Sequence, residues 1–463
     1  MMTLPDSFKS SMKDLLEDEY DLFIKACEDR PKSAVRINTS KITGSEFEKI
    51  APYDIEKIPF SDNGYYISDT DAWSKHPYYY AGLYYIQEPS AMLPGIIAPV
   101  DENSIVLDLC AAPGGKSTAL CLKNPQILVS NDISFSRTMA LVKNLEISGA
   151  RGTFVTCCDP AKLADVYPET FDCIVVDAPC SGEGMFRKDH ALISAYLKEG
   201  PEKYAPVQRN ILECAYRMLK CGGYILYSTC TFSDIEDEKV IISFTDDHHD
   251  MSVCEIEKKY GLCGPYGKYS DRPDLQGCVH ALWHRFKGEG HFIALMKKQG
   301  TGSKITAYSE KLCPFSQLND EVKQFAKQFS SSYYDEFTRN AFLVMADGFI
   351  YMMTPSMTAL YNKNIRYVRT GTCIGIVNRH GKFTPHTALA LNMKSTDYSN
   401  TVSFNADDPM VVKYLKGETL PANRDSIPRK GYVLICVDSY PLGFASCDGT
   451  KLKNLYEKGW IIR

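Results

Sequence analysis

Two cysteines stand where a thiolate could attack a substrate. Cys180 lies in Asp177-Ala-Pro-Cys-Ser-Gly-Glu-Gly, and Cys230 lies in Tyr227-Ser-Thr-Cys-Thr231. Each follows a short apolar, β-rich run, which places it at the carboxyl end of a strand. The thiolate is the nucleophilic form of cysteine, and a free thiol has a pKa of about 8.5. Residues 234–244 are predicted to form a helix capped by Ser233 or Asp234, whose N-terminus would favour the thiolate of Cys230. The chemistry on offer is covalent catalysis, in which a nucleophile splits one hard step into easier ones.

A third segment, Asp108-Leu-Cys-Ala-Ala-Pro-Gly-Gly-Lys-Ser-Thr118, joins a strand to a helix through glycine. Glycine lets the backbone turn tightly and approach a ligand. Two ligands compete. Gly115-Lys116-Ser117 matches the end of a phosphate-binding loop, but Cys110 stands where that loop needs its first glycine. The alternative is S-adenosylmethionine, which needs a glycine turn under its methionine end and a carboxylate for its ribose hydroxyls. Asp132 supplies one in Val-Ser-Asn-Asp, 17 residues after Gly115, about the separation expected in a doubly wound sheet. Asp132 could instead cap the helix that follows.

The elements that must position these residues read as a strand–helix alternation over 101–297. Strands are predicted at 105–109, 127–129, 153–156, 171–176, 223–228 and 291–295, with helices at about 117–123, 135–148, 205–220 and 234–244. Such alternation gives a parallel sheet covered on both faces, whose ligands bind beyond the strand carboxyl ends. Before it, residues 1–30 suggest two short amphipathic helices. Residues 34–95 carry a run of tyrosines (Tyr78, Tyr79, Tyr80, Tyr84, Tyr85) that reads as core rather than as a base-stacking platform. Domains are accordingly expected at 1–100, 101–297 and 381–463, with a linker at 298–310 and a mixed α/β region at 311–380.

Composition narrows the class. The 463 residues, 44% hydrophobic and 24% charged, suit a multidomain globular protein. No 18-residue apolar run suggests a membrane span, and the N-terminus lacks a signal peptide's apolar region, so a cytoplasmic enzyme is expected. Seventeen cysteines with no C-x-x-C spacing imply buried thiols and a few reactive ones, and no metal site. His280 and His284 are four apart, but the glutamate of a zinc-protease motif is missing. The net charge is −5, whereas residues 409–463 carry nine Lys/Arg against five Asp/Glu. A local basic patch matters more for RNA than the global sum.

A methyl donor beside a thiol has a specific use. Carbon 5 of cytosine is a poor nucleophile, and a thiolate added at carbon 6 makes it enamine-like. Asp177 would hydrogen-bond the cytosine edge and stabilise the charged adduct, with Lys116 at the same mouth. Cys110-Ala-Ala-Pro-Gly-Gly-Lys116, Asp177-Ala-Pro-Cys180-Ser-Gly-Glu-Gly and Ser228-Thr-Cys230 together resemble the NOL1/NOP2/Sun family of RNA cytosine-5 methyltransferases. Met185-Phe-Arg-Lys188 and Gly431-Tyr-Val-Leu-Ile-Cys-Val-Asp-Ser-Tyr-Pro-Leu-Gly443 are similar to its RsmF-like, small-subunit branch.

The resemblance implies a Rossmann-like class I methyltransferase domain, an α/β fold, with an N-terminal α+β extension and a PUA-like β-rich C-terminal domain. It implies Cys230 as attacking thiol and Cys180 as the aid to product release. Cofactor contacts would come from Cys110, Ala111, Ala112, Pro113, Gly114, Gly115, Lys116, Asp132, Asp159 and Asp177. The context of Asp159, Cys-Cys-Asp-Pro-Ala, departs from the family's Asp-Gly-Arg/Ala, and Trp283-His284 lacks an intervening proline. The implied partner is 16S ribosomal RNA or the 30S subunit, bound by a monomer. A tRNA methyltransferase and a ribosome-assembly factor that has lost the reaction are the alternatives.

Overall fold

The computed structural model describes residues 4–301, 312–422 and 429–462, so most of the expected linker lies outside the described residues. Ten strands build the central sheet: β1 (Ile105–Asp108), β2 (Ile127–Asn131), β3 (Thr153–Thr156), β4 (Phe171–Asp177), β5 (Leu219–Thr229), β6 (Met251–Cys254), β7 (Leu262–Cys263), β8 (Val279–Ala281), β9 (His291–Lys298) and β10 (Tyr367–Thr370). Their order is β7-β8-β9-β5-β4-β1-β2-β3-β10, with β6 also on β9. The five strands from β3 to β5 are parallel, and β9 runs antiparallel beside β5.

Alternating side chains explain why this sheet is buried on both faces. Ile105, Leu107, Ile174 and Val176 enter one core, while Val106, Cys173 and Val175 enter another. The period of two sends neighbours to opposite sides, and parallel strands need both faces covered. Helices Gly115–Cys121, Phe135–Ser148, Pro160–Val166, Pro201–Met218 and Glu238–Asp247 follow strands of this sheet. Phe135–Ser148 starts on a Ser134 side-chain cap and stops at Gly149, whose φ is 73°.

Three features differ from the expectations. Helix Glu238–Asp247 begins four residues later than predicted, leaving Ser233 and Asp234 in the preceding turn. The segment Tyr367–Thr370, from the mixed region, joins the catalytic sheet antiparallel to β3. Its Arg369 is buried and donates to Ala150 O. The N-terminal helices Asp6–Leu16 and Tyr20–Ala26 share a core with the active-site loops: Phe23 stacks on Trp283 at 4.9 Å, and Phe8 packs edge-on against Phe186.

The other N-terminal residues form a four-stranded antiparallel sheet. Tyr78, Tyr80 and Tyr84 are buried in a core shared with Tyr414, Val433 and Ile435. The tyrosine run is thus largely core, and it joins the N-terminal sheet to the C-terminal domain. Two further five-stranded sheets cover 313–385 and 401–454. Among the described residues, no helix is long and apolar enough to cross a membrane, and no three His, Cys, Asp or Glu residues gather as a metal site.

Candidate active site

The loop after β1 runs through Cys110, Ala111, Ala112 and a cis Ala112–Pro113 peptide to Gly114 and Gly115. Gly114 has φ 112°, a conformation that suits glycine, and a Cβ on Gly115 would lie 3.0 Å from Gln87 Nε2. Asn131, at the end of β2, latches this loop to β3. Its amide donates to Leu109 O and Cys158 O, and its oxygen accepts from Thr156 Oγ1 and Cys158 N. Ser117 is fully buried and bonded to Asp108 and Ser130, so its hydroxyl is not presented to a phosphate-bound cation.

Asp132 follows β2 directly. One oxygen accepts from Ser134 N at 2.9 Å, and the other lies 3.3 Å from the Arg137 guanidinium. Arg137 also donates to Ala112 O, which braces the glycine loop against this carboxylate. Ser134 is the helix cap, so Asp132 shapes the entry turn without capping the helix. Ile133 and Phe135 are exposed beside it (66% and 48%), an apolar surface at the mouth. Asp159 is exposed and caps helix Pro160–Val166 through Ala161 N.

Asp177 ends β4 and is paired with Lys116 at 2.7 Å. Burial pushes the Asp177 carboxyl up, but Lys116, helped by the Ser228 hydroxyl, outweighs it and holds the group below the usual carboxylate range. Burial pulls Lys116 down, and Asp177 more than offsets that. His291, first residue of β9, places Nε2 3.9 Å from Asp177 Oδ1. Burial, then Lys116, pushes its pKa down to about 3, so it is a neutral imidazole at physiological pH.

Cys180 and Cys230 meet across adjacent strand ends with their sulfurs 3.3 Å apart, both half-buried. Cys180 is held well above the ordinary thiol range by its hydrogen bond with Cys230 and by burial. Cys180 therefore keeps its proton. Cys230 also lies within electrostatic range of Lys116, a cation that favours a thiolate.

The structure thus gathers Cys180, Cys230, Asp177, Lys116 and the 110–116 loop at the carboxyl ends of β1, β4 and β5. Asp132 and Asp159 flank that mouth at the ends of β2 and β3. His291, Arg137, Asn131, Glu183 and Glu236 were not identified from the sequence. His291 carried a faint signal, as an ionisable residue that opens the apolar run 292–296. The departures at 283–284 have structural partners: Trp283 Nε1 donates to Gly184 O, and His284 pairs with Glu19.

A glycine turn after β1, carboxylates at the ends of β2 and β4, and a parallel sheet with one antiparallel strand beside β5 define an S-adenosylmethionine-dependent methyltransferase. The residues fit that donor, since an unsubstituted turn, an acid and an apolar surface line one mouth. Three family models match the chain: 16S rRNA methyltransferase RsmB/F over 95–297, the N-terminal domain of 16S rRNA methyltransferase RsmF over 4–89, and the methyltransferase RsmF PUA domain over 401–462. Ribosomal RNA small subunit methyltransferase F of Escherichia coli O1:K1 / APEC is 28% identical over 98% of this chain and 96% of its own. Two solved structures share the fold over 64% of this chain, each with a TM-score of 0.54. They are a methyltransferase homolog protein from Pyrococcus horikoshii (24% identical, 95% of that chain) and NSun6 from the same organism with SFG (19%, 99%). The chain belongs to the RsmB/F family of rRNA cytosine methyltransferases, with the N-terminal and PUA domains of its RsmF branch.

Proposed function

We propose that this protein methylates carbon 5 of cytosine in 16S ribosomal RNA, with Cys230 as covalent nucleophile and Cys180 as the group that clears the adduct. The observation that carries the mechanism is the sulfur pair, 3.3 Å apart beside the Lys116–Asp177 ion pair. The substrate class rests on the RsmF-type domains and on the likeness to a methyltransferase of small-subunit ribosomal RNA.

S-adenosylmethionine supplies an electrophilic methyl group on a sulfonium. Cys230 Sγ would bond to carbon 6 of the flipped cytosine, and the electron pair pushed to carbon 5 would take the methyl group as its bond to the donor sulfur breaks and the donor leaves as a neutral thioether. Asp177 would accept a hydrogen bond from the cytosine edge and stabilise the positive charge that builds on the ring in the adduct, and Lys116 keeps Asp177 ionised for that task. Loss of the carbon 5 proton to a base and breakage of the sulfur–carbon 6 bond then restore the ring. Cys180, already bonded to Cys230, returns a proton to the departing sulfur. Cys110 to Lys116 would cradle the donor, Asp132 would accept from its ribose hydroxyls, and Asp159 and Asp177 would border its base and methyl ends. The protein acts as a monomer.

Transfer of labelled methyl groups to 30S subunits, deproteinised 16S RNA and bulk tRNA tests this. Label in ribosomal RNA with the wild type, none with Cys230→Ala, and a protein–RNA band on denaturing gels with Cys180→Ala are expected. Wild-type turnover by Cys230→Ala would sink the mechanism, and label confined to tRNA would reassign the substrate.

A further inference from the structure

Beyond the contact between their sulfurs, both cysteines are held by their neighbours. On one side of Cys180, Pro179 O accepts from Gln208 Nε2 at 2.9 Å. On the other, Ser181 N donates to Glu236 Oε2 at 2.9 Å. Gln208 Nε2 also donates to Glu236 Oε2 at 2.9 Å, and Ser181 Oγ donates to Glu236 Oε1. Glu236 lies six residues beyond Cys230 in the same loop, so one carboxylate ties the Cys180 loop to the Cys230 loop. A reciprocal tie runs the other way. Gly184 N donates to Cys230 O at 2.9 Å, and Phe232 N donates to Glu183 Oε2 at 3.1 Å.

All four side chains are buried: Ser181 is 3% exposed, Glu183 2%, and Gln208 and Glu236 are fully enclosed. A buried carboxylate is costly unless each oxygen is satisfied. Both oxygens of Glu236 accept hydrogen bonds from groups beside Cys180, so moving the loop would break these bonds and leave buried polar groups unsatisfied.

We infer that Glu236, clamped by Ser181 and Gln208, is a positioning residue that keeps Cys180 within reach of Cys230 for release of the methylated RNA. The inference rests on the roles proposed above for the two cysteines, and it adds a residue that touches neither substrate nor cofactor. A misplacement of about 1 Å costs about 100-fold in rate. Loss of Glu236 should therefore slow release about 10- to 100-fold while leaving adduct formation nearly intact.

Three variants and two readouts test this: Glu236→Ala, Glu236→Gln and Ser181→Ala. The first readout is the protein–RNA band formed with transcribed 16S RNA and S-adenosylmethionine. The second is the rate at which diamide, which takes one hydrogen from each thiol, links Cys180 to Cys230, mapped by mass spectrometry. It reports sulfur proximity without turnover. Glu236→Ala should accumulate the band as Cys180→Ala does and cross-link about tenfold more slowly. Glu236→Gln should recover both, since its carbonyl can accept from Ser181 N and Gln208 while its amide donates to the Ser181 hydroxyl. Ser181→Ala, the milder change, should move both readouts the same way by less, and it decides the matter if Glu236→Ala does not fold.

Wild-type cross-linking and no band with Glu236→Ala would overturn the inference. So would a Glu236→Gln variant as impaired as Glu236→Ala, since charge and not hydrogen bonding would then govern. If Cys180→Ala itself gives no band, the release role of Cys180 fails, and the cross-linking rates alone decide whether Glu236 sets the separation.

Discussion

Removing the Lys116 ammonium while keeping its stem, as in Lys116→Met, should destabilise the catalytic sheet by about 2–4 kcal/mol. The pair is 2.7 Å apart, with side chains only 15% and 28% exposed. Exposed pairs contribute about 0–1 kcal/mol, whereas stripping one partner from a buried pair costs about 3–5 kcal/mol. The partial exposure of Asp177 places this pair between those limits. A cycle of Lys116→Met, Asp177→Asn and the double variant should show a coupling of about 1.5–3 kcal/mol at pH 7. The coupling also has a predictable pH window. Asp177 is held below its ordinary pKa, so the stability it contributes is present above the unfolded value near 4 and is lost as pH falls through the folded one. Lys116 is held above its ordinary value, so its contribution is present below about 10.5 and is lost as pH rises through its folded pKa. Coupling should therefore be flat from about pH 5 to 9 and shrink at pH 3. Hydrogen exchange of β4 and β5 amides in urea isolates the catalytic sheet from the other domains. A coupling below about 0.5 kcal/mol at pH 7, or one that grows on acidification, would refute the reasoning.

Asp132→Asn should weaken S-adenosylmethionine binding about tenfold or more, because a charged acceptor for the ribose is lost. Titration calorimetry showing unchanged affinity would remove Asp132 from the site. His291 is neutral with a pKa of about 3, below its unfolded value near 6.5, so the stability it contributes is present above pH 6.5 and fades as pH falls toward 3. His291→Phe should flatten the acid limb of stability by about 1.4 kcal/mol per pH unit, and urea curves of equal slope from pH 6 to 4 would argue against a buried neutral imidazole. Gly114→Ala forces φ 112° on a residue with a Cβ, which would sit 3.0 Å from Leu141 Cδ1. A loss of about 1–3 kcal/mol and weaker cofactor binding are expected, and a wild-type melting temperature would show that the turn does not need glycine. Phe23→Ala, which empties the stack on Trp283, should cost about 3–5 kcal/mol and speed amide exchange in residues 230–237. Unchanged exchange there would separate the N-terminal helices from the catalytic loop.

The parts of the site legible in the sequence are those whose signal is local. Cys110 to Lys116, Cys180 and Cys230 stand in short motifs at strand ends, where apolar runs stop and turn residues begin. The central strands were legible for the same reason, since runs such as Ile105–Asp108 carry their own pattern. The start of helix Glu238–Asp247 was not, because Ser233 and Asp234 look like caps. Asp234 instead accepts from the Tyr269 hydroxyl and pairs with Lys239 and Lys268. The strand Tyr367–Thr370 was hidden because its partner β3 lies over 200 residues away in the chain.

The sequence by itself determined the chemistry available: a glycine turn for a methyl donor, two thiols and an acid at strand ends, and the order of strands and helices that presents them. The meeting of the two sulfurs, the approach of Lys116 to Cys230 and the burial of His291 and Glu236 come only from the tertiary structure. Those facts depend on contacts between segments remote in sequence, and on burial, which turns an ordinary carboxylate or imidazole into a group whose charge state and place are set by its neighbours.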